Sequence, residues 1–249
     1  MGENLSGSGF MTMTGGAVDP RVGVGPSTTL LSEELNGGRT LHVNPATGNL
    51  ILEEVDVVIA GTAGFDFELA RTFNSLDAGH VADLGIGWRG PFTSANQLSL
   101  DSGGTALWYA RPGDGWGVEF VKDGNGDWQP QRSLDATLTE NVGGDFTLEW
   151  HATGLLEHYD VPDVNEEAEL VSYEDRNGNT IAVAYSSGLI SSATDTQNRV
   201  TTFTHSGGFL TEVSDPASRE HLYDVDGHSF TVSPGRRLMK WIARWCARP

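Results

Sequence analysis

Hydrophobic and polar positions alternate in short runs along most of this chain. The stretch "FDFELARTF" (65–73) is the cleanest. It sets Phe65, Phe67, Leu69, Arg71 and Phe73 on one face and Asp66, Glu68, Ala70 and Thr72 on the other. Before it comes the β-rich run "LILEEVDVVIA" (50–60), and the intervening "GTAG" suits a hairpin connection. "TALWYA" (105–110), "GVEFV" (117–121), "DFTLEW" (145–150), "AELVSY" (168–173), "TIAVAY" (180–185) and "VTTFTH" (200–205) follow, each bounded by turn residues. Helical periodicity is almost absent before residue 236. The pattern predicts an all-β fold, an antiparallel strip of β-hairpins with strands starting at Leu50. Residues 1–38, rich in Gly, Ser and Thr, read as a flexible, irregular lead-in. Arg71 is the odd member of its apolar face. It is either a buried cation paired with a carboxylate or a strand-end arginine whose head reaches water.

A repeat organises the C-terminal half. Asp175, Asp195 and Asp215 recur every 20 residues, each followed four positions later by Asn179, Arg199 or Arg219 and eight later by Val183, Phe203 or Tyr223. The copies read "DRNGNTIAVAYSSGLISSAT", "DTQNRVTTFTHSGGFLTEVS" and "DPASREHLYDVDGHSFTVS". Each is turn, strand, turn, strand. One hairpin is marginal alone, but stacked hairpins share a sheet, so the period implies an array. Three hairpins leave an open edge at residue 233, which predicts an aggregation-prone C-terminal half.

Composition narrows the function. The net charge is −19, so a phosphate-backbone partner is disfavoured and no nucleic-acid binding is expected. Cys246 is the single cysteine, which excludes an intrachain disulfide. No run approaches 18 apolar residues, so no membrane span is expected, and "MGENLSGSGFMTMTGG" lacks the features of a signal peptide. The tail from residue 236 holds five of the fifteen basic residues and no acidic one. It reads either as an out-of-frame translation of GC-rich DNA or as a basic amphipathic helix carrying Leu238, Trp241, Ile242 and Trp245.

Candidate chemistry is sparse. "GIGWRG" (85–90) matches G-x-G-x-x-G through Gly85, Gly87 and Gly90, yet Pro91 follows at once and the flanking runs read as strand. Without a βαβ context it reads as a tight turn that seats Trp88 against a sheet, and no cofactor is expected. "DGNGDW" (123–128) starts like a calcium loop but has Trp128 where glycine is needed and Leu134 where glutamate is needed, so it reads as a turn between strands. The histidines at 42, 80, 151, 158, 205, 221 and 228 show no zinc spacing. His205 shares a repeat column with Tyr185, which argues for packing. No catalytic, cofactor or metal residues are assigned, and no enzyme activity is expected.

Three stretches together carry a resemblance: "VNPATGNLILEEVDVVIAG" (43–61), "FELARTFNS" (67–75) and "LGIGWRGPF" (84–92). With "YEDRNGNTI" (173–181) and the Y-D-x-x-G element of "LYDVDG" (222–227), they resemble the rearrangement-hotspot (RHS), or YD-repeat, family over residues 40–233. The first three resemble the domain of unknown function that opens many RHS proteins. The middle copies, with "YSSG" and "HSGG", depart from the repeat pattern.

The resemblance implies a non-enzymatic part of a bacterial β-shell that encloses or presents a C-terminal effector or toxin domain. The expected partners are the rest of the shell and that effector, and the expected location is secreted or cell-surface. The family's self-cleavage site and cargo are not expected here. The domains expected are the lead-in 1–38, an RHS-associated domain 39–110, a strand strip 111–165, degenerate repeats 166–233 and the atypical tail 234–249. The rival reading is an adhesion or carbohydrate-binding module that presents Trp108, Trp116 and Trp128 as exposed platforms for cell-surface glycans.

Overall fold

The structure, a computed structural model, describes residues 22–25, 29–77, 79–93, 97–225 and 230–233. The tail and most of the lead-in lie outside the described residues. All regular elements described are strands. The N-terminal module comprises β1 (Leu31–Leu35), β2 (Arg39–Val43), β3 (Leu50–Thr62), β4 (Phe65–Asn74), β5 (Val81–Ala82), β6 (Gly85–Ile86) and β7 (Trp88–Arg89). The middle module comprises β8 (Gln97–Leu100), β9 (Ala106–Ala110), β10 (Gly117–Lys122), β11 (Trp128–Pro130), β12 (Ala136–Glu140), β13 (Phe146–Trp150), β14 (Leu155–Tyr159) and β15 (Glu167–Glu174). The hairpin repeats comprise β16 (Thr180–Ser186), β17 (Leu189–Thr194), β18 (Val200–Ser206), β19 (Phe209–Ser214), β20 (Glu220–Val225) and β21 (Phe230–Ser233).

All pairings are antiparallel. One sheet has the order β1-β2-β3-β4-β7. A second runs β11-β10-β9-β8-β15 and continues in chain order to β21, with β12, β13 and β14 branching from β15. The branch arises because Glu167–Glu169 pairs with β8, while the remainder of β15 pairs with β14 and then β16. The "GTAG" turn closes β3 on β4 with Ala63 and Gly64 both at positive φ, the two-residue turn whose twist matches the flanking strands.

Two cores result. In the first, Leu52, Val57, Ile59, Phe67, Leu69 and Trp88 of the five-stranded sheet pack on Ile181, Val183, Ile190, Phe203, Val213 and Tyr223 of the repeats. The N-terminal sheet and the hairpin array therefore form a sandwich. The second core lies within the middle module, around Leu107, Val118, Phe120, Phe146, Leu148 and Leu170. Tyr173 packs against both cores.

Three expectations need correction. Strands start at Leu31 rather than Leu50, because Asn36, Gly37 and Gly38 turn β1 back on β2. Every residue of β1 is exposed, so the strand carries no hydrophobic alternation to read. A boundary between residues 110 and 111 would fall inside the β9–β10 hairpin, where Ala110 pairs with Gly117. The tryptophans expected as exposed platforms are not exposed. Trp116 and Trp128 are both 5% accessible, and Trp108 is half-buried with its ring over Gly117, where a Cβ would come within 2.3 Å.

Candidate functional site

The functional features of this chain converge on the contact between the N-terminal sheet and the hairpins. β3 carries a bulge between Val55 and Val57. Asp56 is the extra residue, unpaired in the ladder and in phase with the inward Leu52, and its side chain is only 2% exposed. Arg71, on the apolar face of β4, meets it there. Arg71 donates from Nε to Asp56 Oδ2 at 2.5 Å and from Nη2 to Asp56 Oδ1 at 3.0 Å, and pairs with Glu54 at 2.9 Å. The guanidinium also lies 4.7 Å from the centre of the Trp88 ring. Of the two readings of Arg71, the structure selects the buried, paired cation.

Tyr223, from the third repeat, reaches the same group. Its hydroxyl donates to Asp56 Oδ2 at 3.2 Å across the sandwich. Burial first, and then the Asp56 charge, hold the Tyr223 hydroxyl well above its ordinary pKa, so it acts as a neutral donor. The tyrosine of "LYDVDG" thus touches the carboxylate of "VDVVIAG".

The remaining signature residues form a knot beside this cluster. Asn49 and Asn74 are fully buried, and Asn49 Nδ2 donates to Asn74 Oδ1 at 2.9 Å. The backbone N–H of Asn74 donates to the Gly87 carbonyl at 2.8 Å. Gly87 has a φ of 73° and packs so closely that a Cβ would lie 3.0 Å from both the Asn74 carbonyl oxygen and the Phe73 ring. This explains the glycines of "GIGWRG": they bring the backbone against β4 and set Trp88 against Phe73, ring centres 5.5 Å apart. Arg89 is buried and pairs with Asp77 at 2.6 Å. The next residues add Phe92, which stacks on Phe67 at 4.9 Å, while the Tyr173 hydroxyl donates to the Pro91 carbonyl at 3.0 Å.

A recurring loop presents the repeats to this platform. In 175–179, 195–199 and 215–219 the aspartate N–H donates to the carbonyl four residues on, and its carbonyl accepts from the N–H three residues on. The carboxylate Oδ1 accepts from the N–H groups two and four residues on. The fourth residue, Gly178, Asn198 or Ser218, has positive φ. The same loop occurs at 123–127 and 163–167, copies that the 20-residue spacing did not reveal. "DGNGDW" is therefore a turn between β10 and β11.

The 195–199 loop binds the N-terminal sheet directly. Thr196 Oγ1 accepts from the Thr62 N–H at 2.7 Å, and Arg199, held by Asp195, donates to the Ala60 carbonyl at 2.5 Å. Backbone and side-chain donors hold the Asp123, Asp163, Asp175 and Asp215 carboxyls below the usual range, Asp175 down to about 2. For Asp215 burial opposes this shift.

The second core holds one carboxylate. Glu157 is buried and accepts from Tyr159 Oη at 2.8 Å, Trp150 Nε1 at 2.9 Å and Tyr109 Oη at 3.1 Å. Burial raises its pKa against the pull of these donors. The sequence signal was a glutamate sharing the inward phase of Tyr159 in "LLEHY".

Two shallow hollows lie at the sandwich rim. One is lined by Phe65, Leu155, Asp175 and Arg176, and the other by Ile59, Arg199, Pro216 and Arg219. Neither gathers an acid–base or nucleophile pair. Among the described residues no group of three or more His, Cys, Asp or Glu is placed to hold a metal. No helix among them is long and apolar enough to cross a membrane.

The class defined so far is an antiparallel sandwich in which a five-stranded sheet serves as the platform for repeated hairpins. Residues 41–120, from β2 through β10, match the model of a protein family described as a domain of unknown function, DUF6531. No curated protein matches the chain.

Proposed function

We propose that this protein forms the opening section of an RHS-type β-shell, with the DUF6531 domain as the platform on which the first hairpins assemble. The role is structural and non-enzymatic. The domain starts the strip, further hairpins extend it, and the shell encloses or presents a C-terminal effector outside this section. The partners are the remaining shell and that effector, at a secreted or cell-surface location.

The observation that carries this reading is the shared core. Hairpins of a 20-residue period bury their inner face on the DUF6531 sheet, and the Tyr223 hydroxyl of the Y-D-x-x-G element bonds Asp56 within it. DUF6531 domains also occur in RHS/YD-repeat proteins. The adhesion reading named Trp108, Trp116 and Trp128, of which Trp116 and Trp128 are buried and Trp108 is half-buried.

Two experiments test the proposal. Sequencing the locus beyond codon 233, read in all frames, is expected to show more 20-residue hairpins followed by an effector domain. Co-expression of the chain with that downstream section is expected to give a particle in which the effector resists protease. A locus without further hairpins, or an effector cleaved as fast with the chain as without it, overturns the proposal.

A further inference from the structure

The turn between β5 and β6 places a buried carboxyl group against the second hairpin. Asp83 is 1% exposed, and neither of its carboxylate oxygens has a hydrogen-bond partner among the described residues. The residue is fixed in place, since its backbone carbonyl accepts from the Leu210 N–H at 2.8 Å. His205 Nε2 lies 3.7 Å from Oδ2, beyond hydrogen-bond range, and is itself buried without a hydrogen-bond partner among the described residues. The Tyr185 hydroxyl, from the same column of the preceding copy, is also buried and without a hydrogen-bond partner among the described residues.

The surroundings narrow the choice of counterion. From the N-terminal module, His80, Asp77 and Arg89 face this region. Arg89 is engaged by Asp77 at 2.6 Å, and its buried Nη2 has no acceptor among the described residues. Burial and the nearby Arg89 charge lower the pKa of His80, against the pull of Asp77 and Asp83. From the other side come Tyr185 and the carboxylates Glu169 and Asp160, which supply no positive charge. His205 is the remaining imidazole beside Asp83, and histidine is the side chain type whose charge changes between about pH 5 and 8. Packing alone does not demand histidine there, since the column holds Tyr185 in the first copy and Val225 in the third.

We propose that Asp83 and His205 form a proton-controlled latch between the N-terminal module and the second hairpin. A proton taken from solvent by His205 converts two unpartnered polar groups into an ion pair across the interface. Loss of that proton leaves the carboxylate buried without a counterion and loosens the contact. The interface tightens on mild acidification and relaxes above neutral pH.

The test is a double-mutant cycle on the full chain, with Asp83→Asn, His205→Gln and the pair, measured by denaturant unfolding at pH 6 and pH 8.5. The cycle cancels the pH response of every other group, including the self-repulsion of the acidic chain. The expected result is a coupling of about tenfold in the unfolding equilibrium at pH 6 that vanishes at pH 8.5. Equal coupling at both pH values, or none at pH 6, overturns the latch. Should His205→Gln fail to fold, an NMR titration of His205 decides. Its charge transition is expected to move to lower pH in Asp83→Asn, and an unchanged transition overturns the proposal.

Discussion

In the core between the five-stranded sheet and the hairpins, a buried cation sits among anions. In the core of the middle module, a buried anion sits among neutral donors. Arg71 is held by Asp56 and Glu54 from β3 and capped by the Trp88 ring, while Tyr223 from β20 joins through Asp56. Glu157 receives hydrogen bonds from Tyr109, Trp150 and Tyr159. Removing one member of the first cluster leaves charges stranded in a low-dielectric interior. Neutralising the member at the centre of the second leaves an acceptor in place. The first arrangement bears on how two modules meet, since Tyr223 reaches Asp56 only when the repeat sheet sits in one register on the platform. The second fills a single module and is far more tolerant of a change in charge.

The largest test of this contrast is Trp88→Ala. It removes a buried indole and the aromatic face against Arg71, and should destabilise the chain by about 3–5 kcal/mol in equilibrium unfolding. Arg71→Met keeps the volume but strands Asp56 and should cost about 3 kcal/mol. A smaller loss than for an apolar swap elsewhere in β4 would break the comparison. Glu157→Gln should stay within about 1 kcal/mol of the parent, because the amide oxygen still accepts and the amide nitrogen faces hydroxyls able to accept.

The pH dependence sharpens the contrast further. The raised pKa of Glu157 gives a contribution that is full below its unfolded value of 4.5 and is lost as pH rises through the folded value. Glu157→Gln should therefore gain on the parent as pH rises from about 4.5. The lowered Asp175 carboxyl has the opposite sign: its contribution is present above 3.8 and is lost as pH falls toward about 2. Acid titrations of unfolding midpoints check both directions.

Much of this fold was legible in the alternation of residues and the 20-residue period. "FDFELARTF" is β4, "GTAG" is its turn, and the three aspartate-led copies are hairpins. "GIGWRG" was correctly read as a turn seating Trp88, and Arg71 stood out as the cation on an apolar face. Its partner was hidden, because a bulge puts Leu52 and Val57 on the same face with Asp56 unpaired between them, and a bulge leaves no mark in a period-two pattern. The aspartate loops at 123–127 and 163–167 were missed because they lie outside the 20-residue spacing, although their hydrogen bonds are the same. β1 was missed because an exposed edge strand has no buried face to write into its sequence. The tryptophans were misjudged because strand alternation does not tell which face of a branched sheet becomes a core.

Hydrogen exchange on the full chain with Phe67→Ala bears on whether the DUF6531 sheet is the platform of the hairpins. Phe67 lies on β4 and touches no repeat backbone through a ladder hydrogen bond, yet it fills the shared core. If the platform supports the hairpins, amides of β16 and β18 lose protection in step with those of β3 and β4. Hairpin amides that keep their full protection while the platform opens would contradict it.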